Sequence, residues 1–164
     1  MDQVTTTVFV TRLLVAMVIG ASMGVEREYR GKPAGIRTYL LVTEGSALFM
    51  LCGILLSQSM ANWENFSDPG RLASTVVQGI GFIAAGVILA SGRHIMGLTT
   101  AAEIWVAAAI GLLIGAGYEV LGTIAAAMTV VGMVTLLPIE RMLHQLHKSR
   151  HGGNAASQSE DPTA

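Results

Sequence analysis

Five long apolar runs constrain this 164-residue chain more than any other feature of its sequence. A helix needs about 20 apolar residues to cross the hydrocarbon of a bilayer, and each run approaches that length. The runs show no strict alternation of apolar and polar residues, which argues against a membrane barrel. Helices also satisfy their own backbone polar groups within lipid. The sequence therefore predicts an all-α membrane protein with five transmembrane helices, at about 8–25, 38–56, 72–90, 98–116 and 120–137.

The composition is typical of a membrane domain rather than of a large soluble core. Hydrophobic residues make up 52% of the chain and charged residues only 13%, whereas a soluble domain carries about 25% charged residues. The sequence contains no nucleophile elbow, phosphate-binding loop or HExxH motif, and the glycine-rich segment 79–86 lies inside an apolar run. We therefore predict no enzymatic activity, no resident cofactor and no nucleic-acid partner.

The basic residues are distributed unevenly between the connections. Four of them lie in 26–37, Arg93 lies between spans three and four, and three more follow Pro138. The connections on the opposite side contain Arg71 alone. Because cytoplasmic loops are enriched in Lys and Arg, the pattern predicts the N-terminus outside and the C-terminus in the cytoplasm.

The sequence divides into a membrane domain and a short polar extension. Residues 1–137 form the predicted five-span membrane domain, which Pro138 is expected to end. Apolar residues then recur at helical spacing between basic ones over 138–148, which indicates a short basic amphipathic helix on the inner membrane surface. The polar segment 149–164 is predicted to be a disordered tail.

Small residues within the spans are candidates for helix packing, because close backbone approach rather than apolar burial drives helix association in lipid. We expect spans one, three and four to form the tight core. The glycines would pack within one subunit or, alternatively, across the interface of a homodimer. The candidate positions are Gly20, Gly24, Gly79, Gly81, Gly86, Gly111 and Gly115.

Two acidic residues fall within predicted spans, where an ionisable group costs about 2.5–3.5 kcal/mol to insert. At 1.5 Å per residue, Glu44 lies about 10 Å and Glu103 about 7 Å from the same end of the spans. The two carboxylates could face each other and hold a divalent cation or share a proton. Alternatively each is satisfied locally, Glu44 by Arg37 and Glu103 within its own helix.

A second polar group is predicted at the outer surface. Arg12 should lie near the outer interface, close to the start of span three. Asp68 is expected to cap that span, with Pro69 at the first helical position and Arg71 following directly. An ion pair between Asp68 and Arg12 is the alternative.

Three sequence blocks, in this order, resemble the membrane domain of the MgtC/SapB family of bacterial inner-membrane proteins. They read RLLVAMVIGASMGVEREYRGKPAGIRTYLLV, DPGRLASTVVQGIGFIAAGVIL and GLTTAAEIWVAAAIGLLIGAG, and the resemblance covers roughly residues 10–135. It implies a five-span inner-membrane protein associated with adaptation to low magnesium and, in some pathogens, with survival inside host cells. For such a family, regulation of other membrane proteins is the better-supported role, and magnesium transport the older one.

The resemblance also implies functional polar residues by matching position. These are Arg12, Glu26, Arg27, Arg37, Thr38, Asp68, Arg71, Thr99 and Thr100, and the family's glycine block falls on Gly79, Gly81 and Gly86. We expect the cytoplasmic members of this set to form a polar cluster with the two glutamates of the spans. This cytoplasmic polar cluster comprises Glu26, Arg27, Arg37, Thr38, Glu44, Thr99, Thr100 and Glu103. The two glutamates depart from the family pattern, and so does the short segment after span five, where many members continue into a soluble domain.

Two functions remain open from the sequence, with a purely structural assembly subunit as a weaker third. The first is a non-enzymatic membrane regulator that lies in the bilayer and contacts other inner-membrane proteins or a second copy of itself. The second is a small cation or proton pathway with Glu44, Glu103 and the Arg12–Asp68 region as its polar stations. In either case the 26–37 loop is expected to cover the inner polar cluster, with Arg37 as its link to span two.

The topology prediction can be tested with reporters fused after Ala164. A reporter that is active only in the cytoplasm should be active, and one that requires export should be silent. Activity of the exported reporter alone would contradict the predicted orientation.

Overall fold

The computed structural model describes residues 4–59, 68–91 and 94–156. This part of the chain contains five helices and one two-stranded antiparallel hairpin. Met1–Ala126 form one compact unit and Ala127–Ala164 a second, and the side-chain contacts described below belong to the first. In chain order the elements are α1 (Thr6–Tyr29), α2 (Ile36–Ser59), α3 (Pro69–Ala85), β1 (Leu89–Ser91), β2 (His94–Met96), α4 (Leu98–Gly115) and α5 (Glu119–Ala156).

Four helices in the described ranges are long and apolar enough to cross a membrane. They are α1, α2, α4 and the Glu119–Pro138 part of α5. Helix α3 has 17 residues, one fewer than α4, and is not among these four helices. The predicted helical membrane fold is thus confirmed, whereas the count of five spans is not.

The third predicted span differs from the structure at its C-terminal end. It was expected to continue to residue 90, but α3 ends at Ala85, and Leu89 pairs with Met96 in the hairpin. After the cap at Gly86, the backbone N–H groups of Val87 and Ile88 donate to the carbonyl oxygens of Ala84 and Ala85, so a turn ends the helix before the strand begins. A short apolar run of this kind fits a strand as well as a helix, which is why apolarity alone misplaced the boundary.

The segment around Pro138 also departs from the prediction. Instead of ending a span, Pro138 lies inside α5, which continues to Ala156. Proline removes one backbone donor and usually kinks a helix, yet membrane helices tolerate it where local adjustments satisfy the freed carbonyl. No separate helix therefore begins at residue 138, and residues 149–156 of the predicted tail are helical. Residues 157–164 lie outside the described chain.

The packing of the first unit centres on α2 and α4, which contact each other and both α1 and α3. The expected core of spans one, three and four therefore omitted its central member, α2. The prediction rested on small residues within the spans, whereas α2 contributes its backbone to the close contacts with the glycines of α1 and α4. An added Cβ at Gly24 would lie 2.5 Å from Ile36 Cα, and one at Gly115 would lie 2.5 Å from the Ala47 carbonyl oxygen.

The remaining glycines of the predicted packing set fall into two groups. Gly20 lies against the Tyr39 carbonyl oxygen and Gly111 against the Ser46 side chain, so both face α2. A Cβ at Gly79 or Gly81 of α3 would meet nothing within 4 Å. The close helix approaches within this chain thus use the glycines of α1 and α4, while those of α3 lie open.

This contrast predicts opposite effects of the same substitution. Gly111→Ala should lower the free energy of unfolding by about 1–3 kcal/mol, because a methyl group would push α4 away from α2. Gly81→Ala, the matched control, should be neutral or stabilising by up to about 1 kcal/mol, because alanine favours the helix. Thermal unfolding in detergent, followed by circular dichroism, measures both changes, and equal effects would contradict this packing.

Candidate functional site

A buried ion pair joins the last turns of α1 to the start of α4. Arg27 Nη1 donates to Glu103 Oε1 at 2.9 Å. Arg27 is 4% exposed and Glu103 is 7% exposed. Both charges are therefore removed from solvent and lie in the part of the bundle where α1, α2 and α4 meet. We call this end of the bundle the Arg27 end.

Two further side chains complete the polar contacts of this pair. Tyr39 of α2 donates its hydroxyl to Glu103 Oε2 at 2.6 Å, and Arg27 Nη2 donates to the Thr100 hydroxyl. Both carboxylate oxygens of Glu103 thus accept a hydrogen bond. Arg27 Nε has no partner in the described part of the chain. The four residues Arg27, Tyr39, Thr100 and Glu103 form what we call the Arg27 cluster.

The local sequence explains why these side chains converge. Gly24 lets α1 approach the start of α2. Thr43 of α2 donates its hydroxyl hydrogen to the Ala16 carbonyl oxygen of α1 at 2.8 Å. Thr100 and Glu103 are three residues apart and therefore lie on one face of α4. The α1–α2 connection turns sharply within a few residues, with Gly31 and Ala34 both at φ 60°.

The chemistry of the Arg27 cluster is that of a structural ion pair whose carboxylate is fully hydrogen-bonded, while Arg27 Nε has no partner in the described residues. Two charges in a low-dielectric interior are stable only when they neutralise each other and their remaining polar atoms are hydrogen-bonded. Glu103 meets both conditions, since Arg27 balances its charge and Tyr39 occupies its second oxygen. The carboxylate is consequently not free to face a second carboxylate.

The predicted pair of Glu44 and Glu103 is therefore wrong in its geometry. Glu103 contacts Arg27 rather than Glu44. Its hydrogen-bond partners Arg27 and Tyr39 lie on α1 and α2, so the alternative of a hydrogen bond within its own helix is also wrong. Glu44 is half-buried on α2 and, within the described residues, forms no ion pair or hydrogen bond. It is not paired with Arg37. No group of three potential metal-ligating side chains occurs in the described chain.

Other members of the predicted inner cluster lie around the Arg27 end without joining it. Glu26 pairs with Arg30 at 2.5 Å along the surface of α1. Glu28, which was not in the predicted cluster, accepts a hydrogen bond from the Ile36 backbone N–H at 3.2 Å. Thr99 is exposed, one residue before the buried Thr100. The connection is thus held by its own charges, and of these only Arg27 enters the core.

A groove between α2 and α3 opens near Arg37 and Thr38. It has a volume of about 550 Å³, and its walls are mainly apolar, with Leu41 and Phe49 on α2 and Ile83 on α3. Gly79, from the predicted glycine set, also lines it. Arg37 is exposed and makes no ion pair in the described ranges.

At the opposite end of the bundle, Arg12 pairs with a residue that the sequence reasoning missed. Arg12 Nε donates to Glu119 Oε1 at 3.0 Å, and Nη1 donates to the Gly115 carbonyl oxygen at 3.2 Å. Asp68 instead caps α3 by accepting from the Gly70 N–H at 2.8 Å. The alternative pairing of Arg12 with Asp68 is therefore wrong. Arg71 lies exposed in the first turn of α3.

Two residues of these contacts, Tyr39 and Glu119, were not predicted, and only Glu119 has a sequence signal that could have indicated its role. Glu119 stands two residues after Gly117, which adopts φ 97° in the tight α4–α5 turn. Glu119 lies in the first turn of α5, directly after the short α4–α5 connection. This connection lies at the same end of the bundle as Arg12, so the sequence could have indicated the pair. Tyr39 carried no such signal, because an aromatic residue in an apolar span usually indicates packing alone.

Comparison with known proteins identifies the family. The family model described as the MgtC family matches residues 13–142. The chain belongs to the MgtC family. It is 45% identical over 139 residues to the "Putative magnesium transporter YhiD" of Escherichia coli K12, covering 84% of this chain and 61% of that protein. It is 37% identical over 144 residues to "Protein MgtC" of Salmonella typhimurium LT2, covering 88% and 59%.

A third MgtC-family relative is the "Uncharacterized protein slr0014" of Synechocystis, 38% identical over 140 residues, or 85% of this chain and 56% of that one. The chain thus spans about 56–61% of the length of these relatives. No solved structure matches it. The family resemblance drawn from the sequence blocks is confirmed, and with the four apolar helices it identifies a membrane protein.

The buried pair of this MgtC-family chain predicts strong energetic coupling. Arg27→Met should destabilise the protein by about 3–5 kcal/mol, because it leaves the Glu103 charge buried without its cation. Adding Glu103→Gln should recover part of that loss. Arg30→Met, which breaks the more exposed pair with Glu26, should cost no more than about 1 kcal/mol. Unfolding in detergent measures all three, and similar losses for Arg27→Met and Arg30→Met would refute the coupling.

Proposed function

We propose that the chain acts as a non-enzymatic protein of the bacterial inner membrane. It would modulate other membrane proteins or ion homeostasis during adaptation to low magnesium or host stress. One observation carries the proposal: the carboxylate Glu103 is neutralised by Arg27 and hydrogen-bonded by Tyr39. The most deeply buried acid among the described residues therefore serves the packing of three helices and is not free to coordinate a passing ion.

The exposed faces of the helices support a role in contacts with other proteins. Phe82 of α3 is 85% exposed, and the neighbouring Gly81 has open space above it. Small and aromatic residues on a membrane-facing helix suit helix–helix contacts. A partner membrane protein or a second copy would meet this face, since the glycines of α1 and α4 are already engaged within the chain.

A magnesium or proton pathway is the second candidate. It is favoured by the name of the Escherichia coli relative, "Putative magnesium transporter YhiD", and by the half-buried Glu44, which lacks a partner in the described chain. An unpaired acid within a span marks ion pathways in many transporters. In that case Glu44, rather than Glu103, would be the residue that contacts the ion.

Ion flux distinguishes the two functions. Purified protein would be reconstituted in liposomes that contain a magnesium-sensitive dye, and Mg²⁺ entry compared with protein-free liposomes. A regulator should add no flux, and cells carrying Glu44→Gln should grow in low magnesium as well as those with the unmodified protein. Flux that is present in the unmodified protein and lost in Glu44→Gln would overturn the proposal in favour of the pathway.

Capture of partners supplies the positive evidence. A photo-crosslinking residue in place of Phe82 should link the chain to another membrane protein, and more strongly in cells grown at low magnesium. The matched control replaces Leu14, which is 55% exposed on α1, and should yield less of that product. Equal labelling from both positions would indicate chance collisions and contradict a specific contact through α3.

A further inference from the structure

The groove between α2 and α3 is lined by apolar side chains and by Arg37, a cation without an ion-pair partner among the described residues. We propose that it binds an anionic phospholipid, with the phosphate at Arg37 and one acyl chain along Leu41, Gly45 and Phe49. This inference goes beyond the proposed function and does not depend on it. It commits to a lipid rather than to a protein helix or a free anion.

The dimensions of the groove fit one leaflet of a bilayer. Arg37 and Phe49 both line it and are twelve residues apart on α2, which corresponds to about 18 Å along the helix axis. Half of the hydrocarbon thickness is about 15 Å. An acyl chain that begins beside Arg37 would therefore follow the groove to about the midplane of the membrane.

The charge of the groove indicates which lipid it takes. Arg37 is exposed and has no carboxylate partner in the described residues, although Glu26, Glu28 and Glu103 all lie at the same end of the bundle and are engaged elsewhere. A guanidinium binds phosphate through paired, charge-assisted hydrogen bonds. Basic pockets between transmembrane helices bind anionic head groups in this way.

The apolar wall contributes position rather than selectivity. In a bilayer an acyl chain is already in an apolar medium, so moving it into the groove gains little free energy. The cavity must simply be open, and it is: a Cβ at Gly45 or at Gly79 would meet no atom within 4 Å. Filling the groove should therefore exclude every lipid, whereas removing Arg37 should abolish only the preference for anionic ones.

The test counts lipids bound to the purified chain. The protein in detergent is titrated with phosphatidylglycerol or phosphatidylcholine of identical acyl composition, and bound lipids are resolved by native mass spectrometry. Phosphatidylglycerol should bind about tenfold more tightly, as expected for one charge-assisted contact. Arg37→Ala should remove this preference, and Lys32→Ala, an exposed cation at the same end, should retain it.

Substitutions in the groove separate a lipid from other occupants. Gly79→Leu should reduce binding of both lipids by about tenfold, because its side chain would fill the groove. Gly45→Leu fills the groove from the opposite wall, should have the same effect, and replaces the first variant if that one fails to fold. Gly81→Leu, two residues along α3 and outside the groove lining, should bind as the unmodified chain does. The proposal is overturned if both lipids bind equally, if inorganic phosphate binds at Arg37 while neither lipid does, or if Gly79→Leu and Gly45→Leu change only the oligomeric state.

Discussion

The ion pair between Arg27 and Glu103 is the interaction on which the bundle depends. A charge buried in a low-dielectric interior cannot be left alone, because the loss of hydration exceeds anything that apolar packing returns. Arg27 comes from the end of α1 and Glu103 from the second turn of α4, so the pair fixes the depth of one helix against the other. Tyr39 then brings α2 into the same contact. Three helices are thus held in one register by a single neutralised charge.

Short polar contacts of this kind require helices whose backbones approach closely, and glycine provides that approach. Gly24 faces the first residue of α2, and Gly111 and Gly115 face its middle. Thr43 adds a hydroxyl bond from α2 to the Ala16 carbonyl of α1. In lipid such contacts matter more than in water, since apolar surface gives no net drive for association. The pair of Arg12 and Glu119 closes the opposite end of the first unit. Small residues between the two polar ends therefore let the helices of the first unit approach closely.

Much of this arrangement could be predicted from the sequence, and the failures have physical causes. Apolar length predicted the helices, the matching motifs predicted the family, and the Asp68-Pro69 pair predicted the cap of α3. The partner of Glu103 was missed because Arg27 was assigned to a loop, whereas α1 continues to Tyr29. The predicted span ends at residue 25, four residues before the end of α1, and Arg27 lies in that difference. The hairpin after α3 was missed because apolarity does not distinguish a strand from a helix over four residues. Pro138 predicts the end of the last span, but a membrane helix tolerates proline in its interior, and α5 continues past it.

The two cations at the Arg27 end differ in a way that bears on function. Arg27 is buried and engaged by Glu103 and Thr100, so it contributes to the fold and offers nothing to a ligand. Arg37 is exposed beside an apolar groove and has no acid to neutralise it in the described chain. The bundle contains enough acids at this end to pair both arginines, yet Glu26 and Glu28 bind Arg30 and the α2 backbone instead. A cation left without a protein partner at a membrane surface is neutralised by what surrounds it, and in a bilayer that is the phosphate of a lipid. The buried charges of the described bundle are thus committed to holding its helices together, which leaves Arg37 available for the lipid contact proposed above.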